Sequence, residues 1–284
     1  MPIALLKKWK PAIANFMSQI HPTAAIESGA KIGANVSIGP FCYIRHDVEI
    51  GDNCILDAHV TLLPYTSIGH SCHLHGNVVL GDTPQDVAYK DEPSYVKIGD
   101  NCSLREGVTI HRGTKPGTKT TVGNNCLLMA YSHLAHNVQL GNDVIVANGA
   151  LLAGYVEVGD RAFISGNCLV HQFARVGRLV MMAGGSAAHK DIPPFCMTRS
   201  TTLNKVMGLN SVGLRRAGVT SEQRLTLKRA FKILYQSNLL IPEALIRLET
   251  EFDSPLVTEI CDFIKTSQRG IAGYVRQRQS EISE

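Results

Sequence analysis

Aliphatic residues recur along this chain at a fixed step of six. They stand at Ile20, Ile26, Ile32, Ile38, Ile44 and Ile50, then at Leu56, Leu62, Ile68, Leu74 and Leu80. The series resumes at Ile98, Leu104 and Ile110, and again from Val122 through Leu128, Leu134, Leu140, Val146, Leu152, Val158, Ile164, Val170 and Val176 to Met182. All share one register, which only Asp86, Glu92 and Pro116 break between 20 and 182. The fifth residue of each hexad is usually small, as at Ala24, Val36, Cys42 and Cys54, and the second is often Gly, as at Gly33, Gly51, Gly69 and Gly123. A strict six fits neither a helical period of 3.6 nor alternating strands with turns of variable length. It fits a parallel β-helix of triangular section. Each hexad is then one short strand plus a corner, and three hexads make a coil of 18. The aliphatic residue points inward, the small residue lies near a corner, and Gly tolerates the turn. Stacked about 4.8 Å apart, about eight coils make a prism about 40 Å long.

The two interruptions, roughly 85–97 and 113–121, are polar and contain Pro or Gly. They read as loops thrown out from the prism, and long loops on a rigid scaffold are where function tends to sit. From about Leu203 the pattern becomes helical. Thr220 with Gln223 forms a capping-box signature, ahead of Leu227, Ala230, Phe231 and Leu234 on one face. Pro242 suits the first turn of a second helix carrying Leu245, Leu248 and Phe252. Ser254 and Pro255 start a third, with Ile260, Phe263 and Ile264, that ends near Gly270. Three segments result: an amino-terminal extension over 1–19, the β-helix over 20–190 and a helical carboxy-terminal domain over 191–284. The last covers one end of the prism, because the end coils of a stacked array need covers.

Composition narrows the function classes. The chain is 44% hydrophobic and 18% charged, so it folds, and its 25 glycines with only 6% aromatics suit short strands and tight turns. A net charge of +4 makes no case for nucleic acid, but fits an acidic partner or a phosphate-bearing substrate. No apolar run approaches the ~18–20 residues of a membrane span. The basic, partly apolar start lacks the apolar region and cleavage site of a signal peptide and reads as a short packing or frayed helix. Six cysteines, Cys42, Cys54, Cys72, Cys102, Cys126 and Cys168, occupy the small inward position. They read as buried thiols serving as small hydrophobes in a reducing cytoplasm, not as disulfides or metal ligands.

The repeat also gives one histidine its neighbours. His136 is the third residue of its hexad and should project outward. Adding 18 twice reaches Gly154 and Gln172, so the three form a column on successive coils. A neutral imidazole is a competent general base at pH 7.

Several segments carry a resemblance. They are HPTA at 21–24, IGPFC at 38–42, QD at 85–86, TIHRG at 109–113, LLM at 127–129, HLAHN at 133–137, LAG at 152–154, VHQF at 170–173 and DIPP at 191–194. In this order they make the chain resemble, from about 20 to 270, the hexapeptide-repeat acyltransferases that move an acyl chain from acyl carrier protein to UDP-N-acetylglucosamine and begin lipid A synthesis. The resemblance implies a left-handed β-helix, against the usual crossover hand. It also implies a homotrimer with active sites in clefts between prisms, and transfer of a 3-hydroxyacyl chain to the sugar 3-hydroxyl without metal or cofactor. It implies that His136 is the base and that the Gly154 N–H holds the oxyanion. His133 lies near substrate, His171 and Gln172 bind the nucleotide sugar, Arg216 meets the diphosphate and Asp86 contacts the sugar. Gly184 falls where side-chain size limits acyl length, so its groove stays open to a longer chain.

The chain departs from the family at named places. Tyr155 replaces the His that follows the oxyanion Gly and so joins the substrate-binding candidates. Ala88 replaces a Lys, Asn137 an Asp after the base, and Val212 an acidic residue. Because these changes gather around the sugar nucleotide, two alternatives are kept: an amino-sugar nucleotide acceptor, and a non-catalytic paralogue that binds ligand or carrier protein. A zinc enzyme on clustered histidines is a further class, which stoichiometric zinc would support.

Overall fold

Two residues of each hexad form a strand and four turn a corner, as in His133–Leu134, Leu151–Leu152 and Leu169–Val170. The computed structural model describes residues 19–275, and the basic amino-terminal stretch lies outside them. Successive coils stack in register, so that Leu134 pairs with Leu152 and Leu152 with Val170. Three sheets of 12, 9 and 8 strands result, each strand of the prism bonded to those one coil away, and the largest sheet gains two strands from beyond the coils. The chain is a left-handed parallel β-helix. Its aliphatic column is the core: Ile44, Leu62, Leu80, Ile110, Leu134 and Leu152 are fully buried, each worth about 1.5–3 kcal/mol in burial.

The glycines have a different cause from the one the pattern suggested. Gly33, Gly51, Gly69 and Gly123 do not carry the turn. Positive φ falls on the fourth residue of the hexad, at Asn35, Asp47, Asn53, Asn77, Asn101 and Asn125, where Asn and Asp tolerate it best. The second position is small because the next coil is too close. A Cβ on Gly51 would lie 2.7 Å from the backbone of Gly69, and one on Gly33 would lie 2.8 Å from that of Gly51.

The cysteines are buried and free. Their thiols also donate across coils, Cys54 Sγ to Gly69 O at 3.1 Å and Cys72 Sγ to Gly99 O at 3.1 Å. A small apolar residue with a weak donor suits this position.

The interruptions are shorter than the pattern suggested. The strands Tyr95–Ile98 and Lys119–Val122 pair along four residues, which leaves 83–94 and 112–118 as the loops. The two loops meet, with Gly117 N–H donating to Pro93 O at 2.9 Å.

Beyond the prism, the region after Leu203 does not turn helical at once. Lys205–Leu209 is a strand antiparallel to Cys196–Thr198, with Val206 fully buried between exposed Lys205 and Met207. Four helices follow: α1 (Ser211–Arg216), α2 (Ser221–Gln236), α3 (Ile241–Glu251) and α4 (Pro255–Lys265). The capping box at Thr220 and Gln223 is formed, with bonds of 3.2 and 3.0 Å. The short α1 had no signal in the helical pattern. α4 stops at Lys265, before Gly270. Leu227, Ala230, Leu234, Leu245, Leu248, Ile260 and Ile264 form a second core with Leu179 and Phe195 of the last coils. A two-pronged pair from Arg178 to Glu259, at 2.7 and 2.9 Å, ties prism to helices. Among the described residues no helix is long and apolar enough to cross a membrane.

Candidate active site

Both loops converge on His136. The corner after His133–Leu134 sends its imidazole out of the prism, yet it is only 6% exposed. Asp86 of the first loop places Oδ2 3.5 Å from its Nε2. Asn137 places Oδ1 3.1 Å from its Nδ1. Tyr155 meets the ring edge to face, with centroids 5.3 Å apart.

The hydrogen bonds assign the tautomer. Thr114 N–H, in the second loop, donates to Asn137 Oδ1 at 3.0 Å. A backbone N–H can only donate, so the amide oxygen is the atom that faces it. The same oxygen therefore accepts from Nδ1–H of His136, which in the neutral ring leaves the lone pair on Nε2. Nε2 and the Asp86 carboxylate then face each other as two acceptors. A hydroxyl donor is what this pair lacks.

Asp86 has two tasks, one for each oxygen. Oδ1 accepts from Ala88 N–H at 2.9 Å and caps the turn. Oδ2 faces Nε2 and Thr114 Oγ1, the latter at 3.5 Å.

Gly154 lies one coil beyond His136, as the count of 18 requires: Tyr155 N–H donates to His136 O, and Phe173 N–H to Gly154 O, each at 3.0 Å. A Cβ on Gly154 would stand 2.5 Å from Nε2 and 3.0 Å from Nδ1. The glycine is there so that backbone can reach the ring. Its N–H, like that of His136 one coil before, has no acceptor among the described residues. At another corner the equivalent N–H groups are capped by side chains of the next coil, as with Asp100 Oδ1 on His70 N–H at 2.8 Å and Asp160 Oδ1 on Asn142 N–H at 2.7 Å. Among the described residues nothing accepts from Gly154 N–H, although Gly154 is buried. Buried donors are nearly always paired, so this one is available to a ligand.

Two residues that entered the sequence reading only as part of a motif belong here. His111 Nδ1 and Arg112 Nε are buried without a partner among the described residues. Arg112 donates to Tyr89 Oη at 2.7 Å and lies over the Tyr65 ring. Their signal was position: Arg112 holds the place of His136 one coil earlier and His111 stands just before it, behind an insertion that hides the count.

His133 sits beside this group, its Nδ1 2.7 Å from Thr109 Oγ1 and its ring edge-on to His111. Burial, then the neighbouring His111, pushes its pKa down to about 4; burial lowers His111 also. Between about pH 6.5 and 4 the unfolded chain therefore binds a proton at His133 that the folded chain does not. Stability should fall as pH drops through that window and level off below it. His133→Gln is expected to flatten this slope in urea midpoints measured from pH 7 to 4; parallel curves would contradict the burial argument.

Other candidates lie apart from the cluster. His171 is exposed, its Nδ1 3.0 Å from Gln172 O and its ring near His189. Gln172 is half-buried on the next coil. Tyr155 stacks on half-exposed Phe173 with centroids 4.9 Å apart, which extends an aromatic wall from His136 toward Gln172. Arg216 is exposed in the last turn of α1, and no observed contact joins it to His136. Gly184 is exposed, and a Cβ there would meet only Gly166 O, at 3.7 Å.

Known proteins share this architecture. The family described as Udp N-acetylglucosamine O-acyltransferase, Domain 2, matches residues 191–272. The bacterial transferase hexapeptide repeat matches 29–64 and 119–154. The acyl-[acyl-carrier-protein]–UDP-N-acetylglucosamine O-acyltransferase of Sulfurovum sp. is 43% identical over 90% of this chain and 98% of its own length. That of Campylobacter lari is 42% identical over 91% and 98%. Among solved structures, a UDP-N-acetylglucosamine acyltransferase from Bacteroides fragilis superposes with a TM-score of 0.86 at 43% identity, covering 91% of this chain and all of that one.

Proposed function

Because this chain belongs to the family of acyl-[acyl-carrier-protein]–UDP-N-acetylglucosamine O-acyltransferases, we propose that its His136 column transfers a 3-hydroxyacyl chain to the 3-hydroxyl of UDP-N-acetylglucosamine. The donor is acyl carrier protein, and the product is the first intermediate of lipid A. The observation that carries the mechanism is the pairing of a bare Nε2 with an uncapped, buried N–H one coil away. Nε2 takes the proton of the sugar hydroxyl as its oxygen attacks the thioester carbonyl. Gly154 N–H receives the oxyanion of the tetrahedral intermediate. Collapse expels the carrier-protein thiolate, which takes the proton back from the imidazolium.

Asp86 Oδ2 lies where it can accept a second sugar hydroxyl and keep the reacting one aimed at Nε2. Asn137 orients the imidazole but brings no charge to it. His133, neutral at pH 7, and His171, Gln172 and Arg216 recognise the sugar nucleotide, with Arg216 on the diphosphate. Tyr155 and Phe173 offer that substrate an aromatic wall. The exposed position of Arg216, away from His136, fits a homotrimer whose sites lie in clefts between prisms, in the cytoplasm.

Identity above 40% over nine tenths of the chain favours UDP-N-acetylglucosamine over an amino-sugar acceptor. A thiol-release assay with acyl carrier protein tests the reading. Turnover that depends on UDP-N-acetylglucosamine supports it; none at any acyl length would leave a non-catalytic paralogue.

The open space at Gly184 bears on the acyl group. Gly184→Met should fold, because a Cβ there makes only an ordinary contact. Each methylene kept from an apolar groove costs about 0.8 kcal/mol, so blocking about four shifts selectivity toward short chains by about 10²-fold. Competition between long and short acyl carrier proteins reads this directly; an unchanged ratio would remove Gly184 from the groove.

A further inference from the structure

A second cluster of ligating side chains stands at a different corner of the prism and shares no residue with the His136 site. Asp57 and His75 hold the same place on successive coils, since Leu56 pairs with Leu74 and Asp57 N–H donates to Leu74 O at 2.8 Å. His73 enters from the strand just before. Asp57 Oδ2 lies 3.1 Å from His73 Nε2 and 3.2 Å from His75 Nδ1. One ligand atom from each residue lies within 4.8 Å of the others. On the third coil, Glu106 Oε1 stands 3.9 Å from His75 Nδ1, held by Arg105 at 2.8 Å. The imidazoles are largely shielded, at 16% and 21% exposure, and stack with centroids 3.9 Å apart.

We propose that Asp57, His73 and His75 bind a divalent transition-metal ion of the zinc class, with Glu106 or water as the fourth ligand. Zinc bonds of about 2.0–2.1 Å in a tetrahedron set ligand atoms about 3.3 Å apart. Both Asp57-to-imidazole separations already match that edge. Two imidazoles with one carboxylate suit zinc, whereas calcium and magnesium prefer oxygen ligands alone. Asp57 belongs to one coil and the histidines to the next, so the ion would staple successive coils and resist fraying of the prism.

The chelator-treated full chain, titrated with Co²⁺, tests this. The expected result is one ion per chain with the intense visible bands of four-coordinate cobalt, bleached by zinc. Zinc at a hundredfold excess over its Kd should raise Tm by about 5–10 °C. Asp57→Asn, which keeps the side-chain shape, and His75→Ala should each lose both responses. Absence of the bands, their persistence in both variants, or a Tm indifferent to zinc would overturn the proposal. In that event Asp57 serves only as acceptor for two imidazole N–H groups.

Discussion

Replacing His136 with alanine is expected to lower turnover by about 10²–10⁴, the usual range for removing a general base. Affinity for the sugar nucleotide should stay near wild type. The division follows from geometry. Nε2 is the one atom of the ring left to act, since Nδ1 is committed to Asn137 and its amide oxygen is held by Thr114. Recognition of the nucleotide is assigned to other groups, His171, Gln172 and Arg216. The loss should therefore fall on kcat, with KM little changed. Steady-state kinetics with a binding measurement on the variant check this. A variant that binds normally and turns over at the wild-type rate would remove the imidazole from the chemistry.

Gly154→Ala is expected to cost about 10²-fold in activity, for a different reason. Its Cβ would stand 2.5 Å from Nε2 and 3.0 Å from Nδ1. The ring cannot swing aside cheaply, because Asn137, Tyr155 and Asp86 surround it. Overpacking of this kind costs about 1–3 kcal/mol in stability, and a base displaced by about 1 Å costs about 10²-fold in rate. The double variant separates the two effects. With the imidazole removed by His136→Ala, alanine at 154 has room. Unfolding midpoints should then show the Gly154 penalty shrinking toward zero in that background, a coupling that additivity would not produce. Equal penalties in both backgrounds would mean that the ring and the glycine are not in contact.

The repeat made the prism legible because a step of six leaves no other regular structure. The same arithmetic made the His136–Gly154 column legible, since no insertion lies between residues 134 and 152. It failed where insertions interrupt the count. Asp86 reaches the imidazole from one loop and Thr114 reaches its Asn137 partner from the other, and only their meeting in space puts them there. His111 and Arg112 were hidden in the same way. The second-position glycines were readable as necessary but not for the right cause: composition cannot separate a left-handed turn from a close approach of backbone, and here Gly33, Gly51, Gly69 and Gly123 take the approach while the turn falls on the fourth residue, often Asn, Asp or another Gly such as Gly29, Gly107, Gly149 and Gly185. The strand at Lys205–Leu209 was missed because five residues with one buried valine carry too little alternation to stand against the helices that follow. Arg216 shows a limit of another kind. Its helix is well defined, yet nothing within one chain brings it to His136.

The most direct test of the central claim is the structure of this chain with UDP-N-acetylglucosamine bound. The sugar 3-hydroxyl oxygen is expected at about 2.6–3.2 Å from His136 Nε2, with Asp86 Oδ2 on a neighbouring hydroxyl. A bound sugar whose hydroxyls all lie out of hydrogen-bond reach of Nε2 would contradict it.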